Sequence, residues 1–318
     1  MENSQFSGWV MRSTGSWYEV RSQDTQMVHS CRAGGRLRLT EDRSTNPIAV
    51  GDEVICTLSA DGEPPLIIER KDRRNAIIRK SVNLSKATHV VAANLDRVFL
   101  IVTAAFPETS EGFIDRFLVT AEAYGVPTTL VFNKCDLFEP GSIEEARLME
   151  LEAVYQQVGY STLRASAKTG QGLDALQASL AEAGVTLISG NSGVGKSTLI
   201  NRLLPELALK TGEVSSAHNK GKHTTTFAEM FAMPSGGFLI DTPGIKGFGL
   251  VELERDKLHH YFPEMFALLP TCKFHNCLHR SEPKCAVRNA VESGKIPTVR
   301  YENYLGLYEG FEEDSNYR

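Results

Sequence analysis

Two short strings stand in an order that few folds accommodate. GNSGVGKS runs from Gly190 to Ser197, and NKCD, Asn133 to Asp136, comes well before it. The first matches the phosphate-loop pattern G-x-x-x-x-G-K-[ST]. The second reads a purine base, because the Asp136 carboxylate can accept from two donors that guanine carries and adenine lacks. In an ordinary guanine-nucleotide fold the phosphate loop precedes the base-reading strand. Reversal keeps one site only if the chain is circularly permuted, the old termini being joined and an exposed loop cut.

Context strengthens the phosphate loop. Val185 to Ser189 is a β-branched apolar run that predicts a buried strand, and Thr198 to Leu204 reads as a helix. Strand, glycine loop and helix together present backbone N–H groups and a helix N-terminus to phosphate oxygens. Gly190, Asn191, Ser192, Gly193, Val194, Gly195 and Thr198 are therefore the expected cradle. Lys196 would reach the β- and γ-phosphates, and Ser197 would bind Mg²⁺.

Further strings fit the same site. Asp241–Thr242–Pro243–Gly244 follows the predicted strand Gly237 to Ile240. Asp241 would hold Mg²⁺ through water, and the Gly244 amide would sense the γ-phosphate. Ser166–Ala167–Lys168 follows a strand at Ser161 to Ala165, and its backbone would cap the guanine oxygen. Lys222–His223–Thr224–Thr225–Thr226 lies where a switch threonine should meet Mg²⁺; Thr225 is the expected ligand, with its two neighbours open. DTPG or SAK alone would be a weak signal, since a turn after a strand explains either.

The rest of the chain carries two further modules. Residues 1–70 read as five short strands punctuated by glycine: Gly8 to Met11, Trp17 to Val20, Val28 to Arg32, Arg36 to Leu39 and Glu53 to Leu58. That pattern predicts an OB-fold barrel, a form that binds oligonucleotides. A basic linker starts near Glu69. Residues 71–252 alternate strands (Arg97 to Thr103, Thr128 to Phe132) with helices (Gly112 to Ala123, Ile143 to Val158, Leu173 to Ala183), which predicts a mostly parallel α/β sheet. Residues 253–318 turn helical around Cys272-x4-Cys277-x-His279-x5-Cys285. Three thiolates and one imidazole suit a closed, structural Zn²⁺ site. His275 is a possible substitute for His279.

Composition sets limits. The chain has 318 residues, 42% hydrophobic and 23% charged, with a net charge of −5, which argues against bulk electrostatic binding to nucleic acid. Basic residues do gather between Glu69 and Lys86 and between Cys272 and Arg300, and either stretch could face phosphate backbones. The N-terminus shows no signal-peptide pattern and the longest apolar runs are too short to span a bilayer, so a cytoplasmic protein is expected.

With these motifs in view, the chain resembles the ribosome-small-subunit-dependent GTPases, the RsgA or YjeQ family. The resemblance spans barrel, permuted GTPase and cysteine–histidine module. It implies binding of GTP and GDP, docking on the small ribosomal subunit and its rRNA without a membrane, subunit-stimulated hydrolysis followed by release, and action as a monomer. It also favours His279 over His275. Where many GTPases place a water-orienting Gln after the switch glycine, this chain has Ile245. His223 is the expected replacement, matching the family's GxHTTT histidine. The sequence also allows two other readings: an RNA-binding scaffold that holds GTP without turnover, against which His223 argues, and an RNA-dependent ATPase, against which Asp136 and Ala167 argue. Chain order adds one mechanical expectation, that movement at Gly244 swings the attached zinc module as a lever.

Overall fold

The computed structural model describes residues 4–38, 46–58, 63–80, 88–181, 184–207, 228–234, 236–242 and 253–316. The chain begins with a closed barrel of β1 (Gln5–Ser13), β2 (Trp17–Ser22), β3 (Val28–Ala33), β4 (Glu53–Thr57) and β5 (Leu66–Arg70). The strands follow the order β1-β2-β3-β5-β4, and β4 closes back onto β1. Alternate residues point inward: Val10, Tyr18, Val20, Cys31, Val54, Cys56 and Ile67 form its core.

Two of the expected elements differ. Where a strand was expected from Arg36 to Leu39, the described part, Gly35–Arg38, is a 3₁₀ turn, closed by the Leu37 amide on the Gly34 carbonyl at 3.1 Å. Leu37 packs on the barrel core from that turn. The fifth strand is instead β5, where only Ile67 of the Leu66–Ile67–Ile68 run is buried. The stretch read as a basic linker also carries strands, β6 (Ala76–Lys80) and β7 (Thr88–Ala93), which pair as an antiparallel hairpin. Three of its basic residues are engaged within the chain. Arg73 donates to both oxygens of the buried Asp52 at 2.7 and 2.8 Å, and Arg74 pairs with Asp96 at 2.9 Å. Lys71 pairs with Glu53.

The α/β layer follows: β8 (Arg97–Val102), α1 (Glu111–Ala123), β9 (Thr128–Phe132), α2 (Ile143–Gln157), β10 (Ser161–Arg164), α3 (Leu173–Ala181), β11 (Val185–Gly190), α4 (Lys196–Leu203), β12 (Glu229–Ala232) and β13 (Phe238–Asp241). Spatial order is β10-β9-β8-β11-β13-β12, parallel throughout except for β12. Successive strands run outward from β8 to β10, then return to β11 on the other side of β8. Loops after β8 and β11 therefore diverge over one crevice, the place where open α/β sheets bind ligands. Central strands are apolar on both faces, as two covering helix layers require: Val98, Leu100 and Val102 face one core, Phe99 and Ile101 the other.

The barrel is fused to this sheet. Arg12 of β1 pairs with Glu229 of β12, and Met11 and Val50 share a core with Met230, Ile240 and Leu100.

The last region holds α5 (Pro263–Phe266), α6 (Ala286–Glu292) and α7 (Thr298–Asn316). It packs on α1, whose Val119 belongs to the core of Phe262, Met265, Tyr304 and Tyr308. A buried polar network joins the two. Arg300 donates to Asp115 of α1 at 2.5 Å and to both oxygens of Glu264 at 2.9 and 3.2 Å. Asp115 also accepts from Tyr155 at 2.9 Å and Asn303 at 2.6 Å. Burial raises the Asp115 pKa against the pull of Arg300. Burial also opposes the Arg300 charge, but Asp115 and Glu264 outweigh it and raise its pKa. Three donors on one carboxylate favour the ionised pair. The expected lever is thus no free arm: the module is held to α1, and any swing must carry α1 along or break this network. Arg300, counted above among surface basic residues, is buried.

Candidate functional site

The phosphate loop connects β11 to α4 and depends on glycine at two contacts. At Gly190, with φ of +148°, a Cβ would lie 2.3 Å from the Ile101 carbonyl oxygen. At Gly195, φ +94°, it would lie 2.5 Å from the Asn133 side-chain nitrogen. Both positions must lack a side chain for the loop to pass. Lys196 is buried and donates to the carbonyls of Gly190 and Asn191, each at 2.8 Å. Burial lowers its pKa to about 8, with nearby Asp241 acting in the opposite sense.

Asn133 joins three loops. Its Nδ2 donates to the Val194 carbonyl at 2.8 Å, and its Oδ1 accepts from the Ala167 amide at 3.2 Å. NKCD, SAK and the phosphate loop are thereby brought to one point. Lys134, in the left-handed region at φ +65°, donates its Nζ to the Phe106 carbonyl at 2.6 Å, in the loop after β8. Burial lowers the Lys134 pKa, partly offset by Asp136. Ser166 donates its hydroxyl to Asp136 Oδ1 at 2.5 Å. One hydrogen-bonded wall therefore carries the carboxylate and the SAK amides together.

On the other flank, β13 places Asp241 opposite Ile188 of β11, and the Thr242 hydroxyl donates to the Ile188 carbonyl at 3.1 Å. Asp241 thus stands beside the start of the phosphate loop, close enough to Lys196 to favour its charge. His223, Thr224, Thr225, Thr226, Gly244 and Ile245 lie outside the described residues.

Arg202 was not singled out in the sequence. In the last turn of α4, it donates to the Ala167 carbonyl at 3.0 Å and the Lys168 carbonyl at 2.9 Å. The only sequence signal is a basic residue near a helix C-terminus, which usually serves the helix dipole.

The cysteine–histidine group forms a second centre. The ligand atoms of Cys272, Cys277, His279 and Cys285 all lie within 4.8 Å of one another. His279 Nδ1 is 3.3 Å from Cys285 Sγ and 3.7 Å from Cys272 Sγ. Tetrahedral zinc with ordinary bond lengths sets ligands roughly 3.5–3.8 Å apart, so the group is consistent with a zinc site. His275 is exposed and not part of it. The Ala286 and Arg288 amides, at the start of α6, donate to Cys272 Sγ at 3.4 Å and Cys285 Sγ at 3.5 Å, which supports thiolate charge. Tyr301 and Tyr304 of α7 donate to the carbonyls of His279 and Leu278, each at 2.6 Å, tying the ligand loop to the helix that carries Arg300. Among the described residues, no helix is long and apolar enough to cross a membrane.

Comparison with known proteins agrees with this layout. The RsgA GTPase family model matches residues 70–251, and the RsgA N-terminal domain model matches residues 7–64. The chain is 52% identical over 306 residues to the small ribosomal subunit biogenesis GTPase RsgA of Bacteroides fragilis, covering 96% of this chain and 97% of that protein. It is 49% identical over 314 residues to the protein of that name from Christiangramia forsetii, covering 98% of each. Of solved structures, YjeQ from Thermotoga maritima superposes with a TM-score of 0.75 at 32% identity, over 96% of this chain and 98% of that one. YloQ, described as a circularly permuted GTPase, superposes with a TM-score of 0.72 at 27% identity, over 98% of this chain and 96% of that one.

Proposed function

The chain belongs to the RsgA GTPase family, and from that premise we propose that it is a GTPase of small-ribosomal-subunit biogenesis. It would dock on the subunit as GTP-bound protein, hydrolyse GTP to GDP and phosphate faster when docked, and leave as the GDP form. The observation that carries the reading is the Asn133 junction, which brings base-reading, oxygen-capping and phosphate-holding loops into one crevice.

In this reading the Asp136 carboxylate, steadied by Ser166, accepts from guanine, and the backbone of the SAK turn, Ser166–Ala167–Lys168, caps its oxygen. Gly190, Asn191, Ser192, Gly193, Val194 and Gly195 wrap the phosphates, with Thr198 behind them in α4. Lys196 releases the Gly190 and Asn191 carbonyls to meet an anionic partner, which restores its preference for the charged state. Mg²⁺, held by Ser197 and Thr225 and through water by Asp241, would neutralise charge on the β- and γ-phosphates. Gly244 senses the γ-phosphate. His223 orients the attacking water, a role that Ile245 cannot fill. One structural Zn²⁺ on Cys272, Cys277, His279 and Cys285 keeps the last module folded.

The division into a barrel at residues 1–70, a GTPase at 71–252 and a zinc module at 253–318 is part of the proposal. So are rRNA contact by barrel and module, action as a monomer, and a cytoplasmic location beside assembling ribosomes. Co-sedimentation with small subunits in GDP and in a non-hydrolysable GTP analogue tests the cycle. Retention should be 5- to 150-fold stronger with the analogue, about 1–3 kcal/mol of coupling. Equal retention in both would remove nucleotide control of docking.

A further inference from the structure

Arg202 holds a loop that it does not belong to. Its Nε and Nη2 reach two successive carbonyls, Ala167 and Lys168, across the gap between α4 and the SAK turn. In a trans peptide the C=O and N–H point in opposite directions. Drawing these two carbonyls toward α4 therefore turns the Lys168 and Thr169 amides the other way. The Thr169 amide confirms the direction by donating to Ser166 Oγ at 3.1 Å. That hydroxyl is the one that donates to Asp136 at 2.5 Å. The amide side of the turn thus faces the base-reading carboxylate, and the carbonyl side faces Arg202.

Without such a partner the turn would present a mixture of carbonyls and amides to the crevice. A carbonyl aimed at a guanine oxygen is repulsive, whereas an amide is attractive. Orientation of two peptide planes therefore decides whether this turn favours or opposes an oxygen at position 6 of a purine. Arg202 suits the task, since its planar fork can hold two acceptors at fixed separation, which a lysine cannot.

We propose that Arg202 is a positioning residue for guanine recognition: from the phosphate-loop helix it holds the SAK turn with the Lys168 amide, whose neighbours at Ala167 and Thr169 already donate to Asn133 and Ser166, facing the oxygen at position 6 of the base. The proposal rests on the guanine-site reading above and adds a residue to it. Because Arg202 sits on the helix that begins at Lys196, it also fixes the distance between base-capping turn and phosphate loop.

The test compares GDP with 6-thio-GDP, which keeps both donors that Asp136 would bind and alters only the acceptor at position 6. Affinities are measured for the parent, Arg202→Met, Arg202→Lys and Asp136→Asn, below the pH at which the thio base loses its N1 proton. Arg202 is exposed, so its removal leaves the core packing untouched. Arg202→Met should weaken GDP by about 5- to 10-fold and 6-thio-GDP by no more than about 2-fold, the scale of one or two net hydrogen bonds. The parent's preference for the oxygen compound should shrink accordingly, and Arg202→Lys should restore part of it. Equal losses on both compounds would reduce Arg202 to a general loop support and overturn the proposal, as would no loss on either. Asp136→Asn should weaken both compounds alike. If it weakens neither, the guanine-site reading itself fails, a result distinct from failure at Arg202.

Discussion

Replacing Arg300 by Met should loosen the zinc module from the GTPase layer by about 3 kcal/mol. Breaking one partner of a buried ion pair costs about 3–5 kcal/mol, because the remaining charge stays buried without its counterion. Here Asp115 would keep the Tyr155 hydroxyl and the Asn303 amide, two of its three donors, which places the cost at the lower end. Glu264 would lose both of its Arg300 contacts, which keeps the cost from vanishing. A methionine preserves much of the packing against Phe262, over whose ring the guanidinium carbon now lies at 4.6 Å. Hydrogen exchange reads the effect locally. Amides of α7 and of the facing side of α1 should exchange about a hundredfold faster, since 1.4 kcal/mol corresponds to tenfold. Amides of β11 and β8 should change little. The double variant Asp115→Asn/Arg300→Met removes both charges of the pair and should be more protected than Arg300→Met alone. Protection in α7 that stays within about threefold of the parent would refute the reasoning, as would a double variant that is worse than the single one.

Asp136→Asn should weaken GTP by about 1.5–3 kcal/mol through loss of a charge-assisted pair and should gain xanthine nucleotides; a titration with unchanged GTP affinity removes Asp136 from the base site. His223→Ala should bind GTP nearly as well as the parent yet turn it over far more slowly with subunits present, a loss in kcat; near-normal stimulated turnover would assign water positioning elsewhere. Cys285→Ser should abolish stoichiometric zinc while nucleotide affinity holds within a few fold, because the metal group and the phosphate loop share no residue. Elemental analysis should find about one zinc per parent chain, and a metal-free parent whose last module resists protease would contradict the zinc assignment. Asn133→Ala should lower nucleotide affinity by at least about tenfold, since it leaves the buried Val194 carbonyl and the Ala167 amide without their partner; retained affinity in a binding titration would show that the junction is not needed.

The residues of this site that were legible in the sequence are those whose chemistry sits in contiguous strings. NKCD, SAK, GNSGVGKS and DTPG each follow a strand, and periodicity located those strands to within a residue or two. Less legible were elements whose identity depends on a distant partner. Arg36 to Leu39 alternates like a strand in sequence, but Gly35–Arg38 forms a 3₁₀ turn after Gly34, and the barrel takes β5 as its fifth strand. The hairpin of β6 and β7 follows a run of charges that reads as a linker, yet Lys71, Arg73 and Arg74, just before β6, pair with Glu53, Asp52 and Asp96. Arg300 looked like one more surface cation. Its partner Asp115 is far away in sequence, on α1, and only folding brings them together. Arg202 is the same case within the site: its acceptors belong to another motif, so no local pattern marks it. The proposed catalytic His223 and the switch threonines lie outside the described residues and stand on sequence alone.

Dependence of GTP turnover on the small ribosomal subunit is read by steady-state hydrolysis of GTP and of ATP by the purified, zinc-loaded protein, with and without purified small subunits. Slow GTP hydrolysis alone, a large rise in kcat with subunits, and no comparable ATP hydrolysis in either condition are expected. GTP turnover that subunits leave unchanged, or ATP turnover that they stimulate equally, would contradict that dependence.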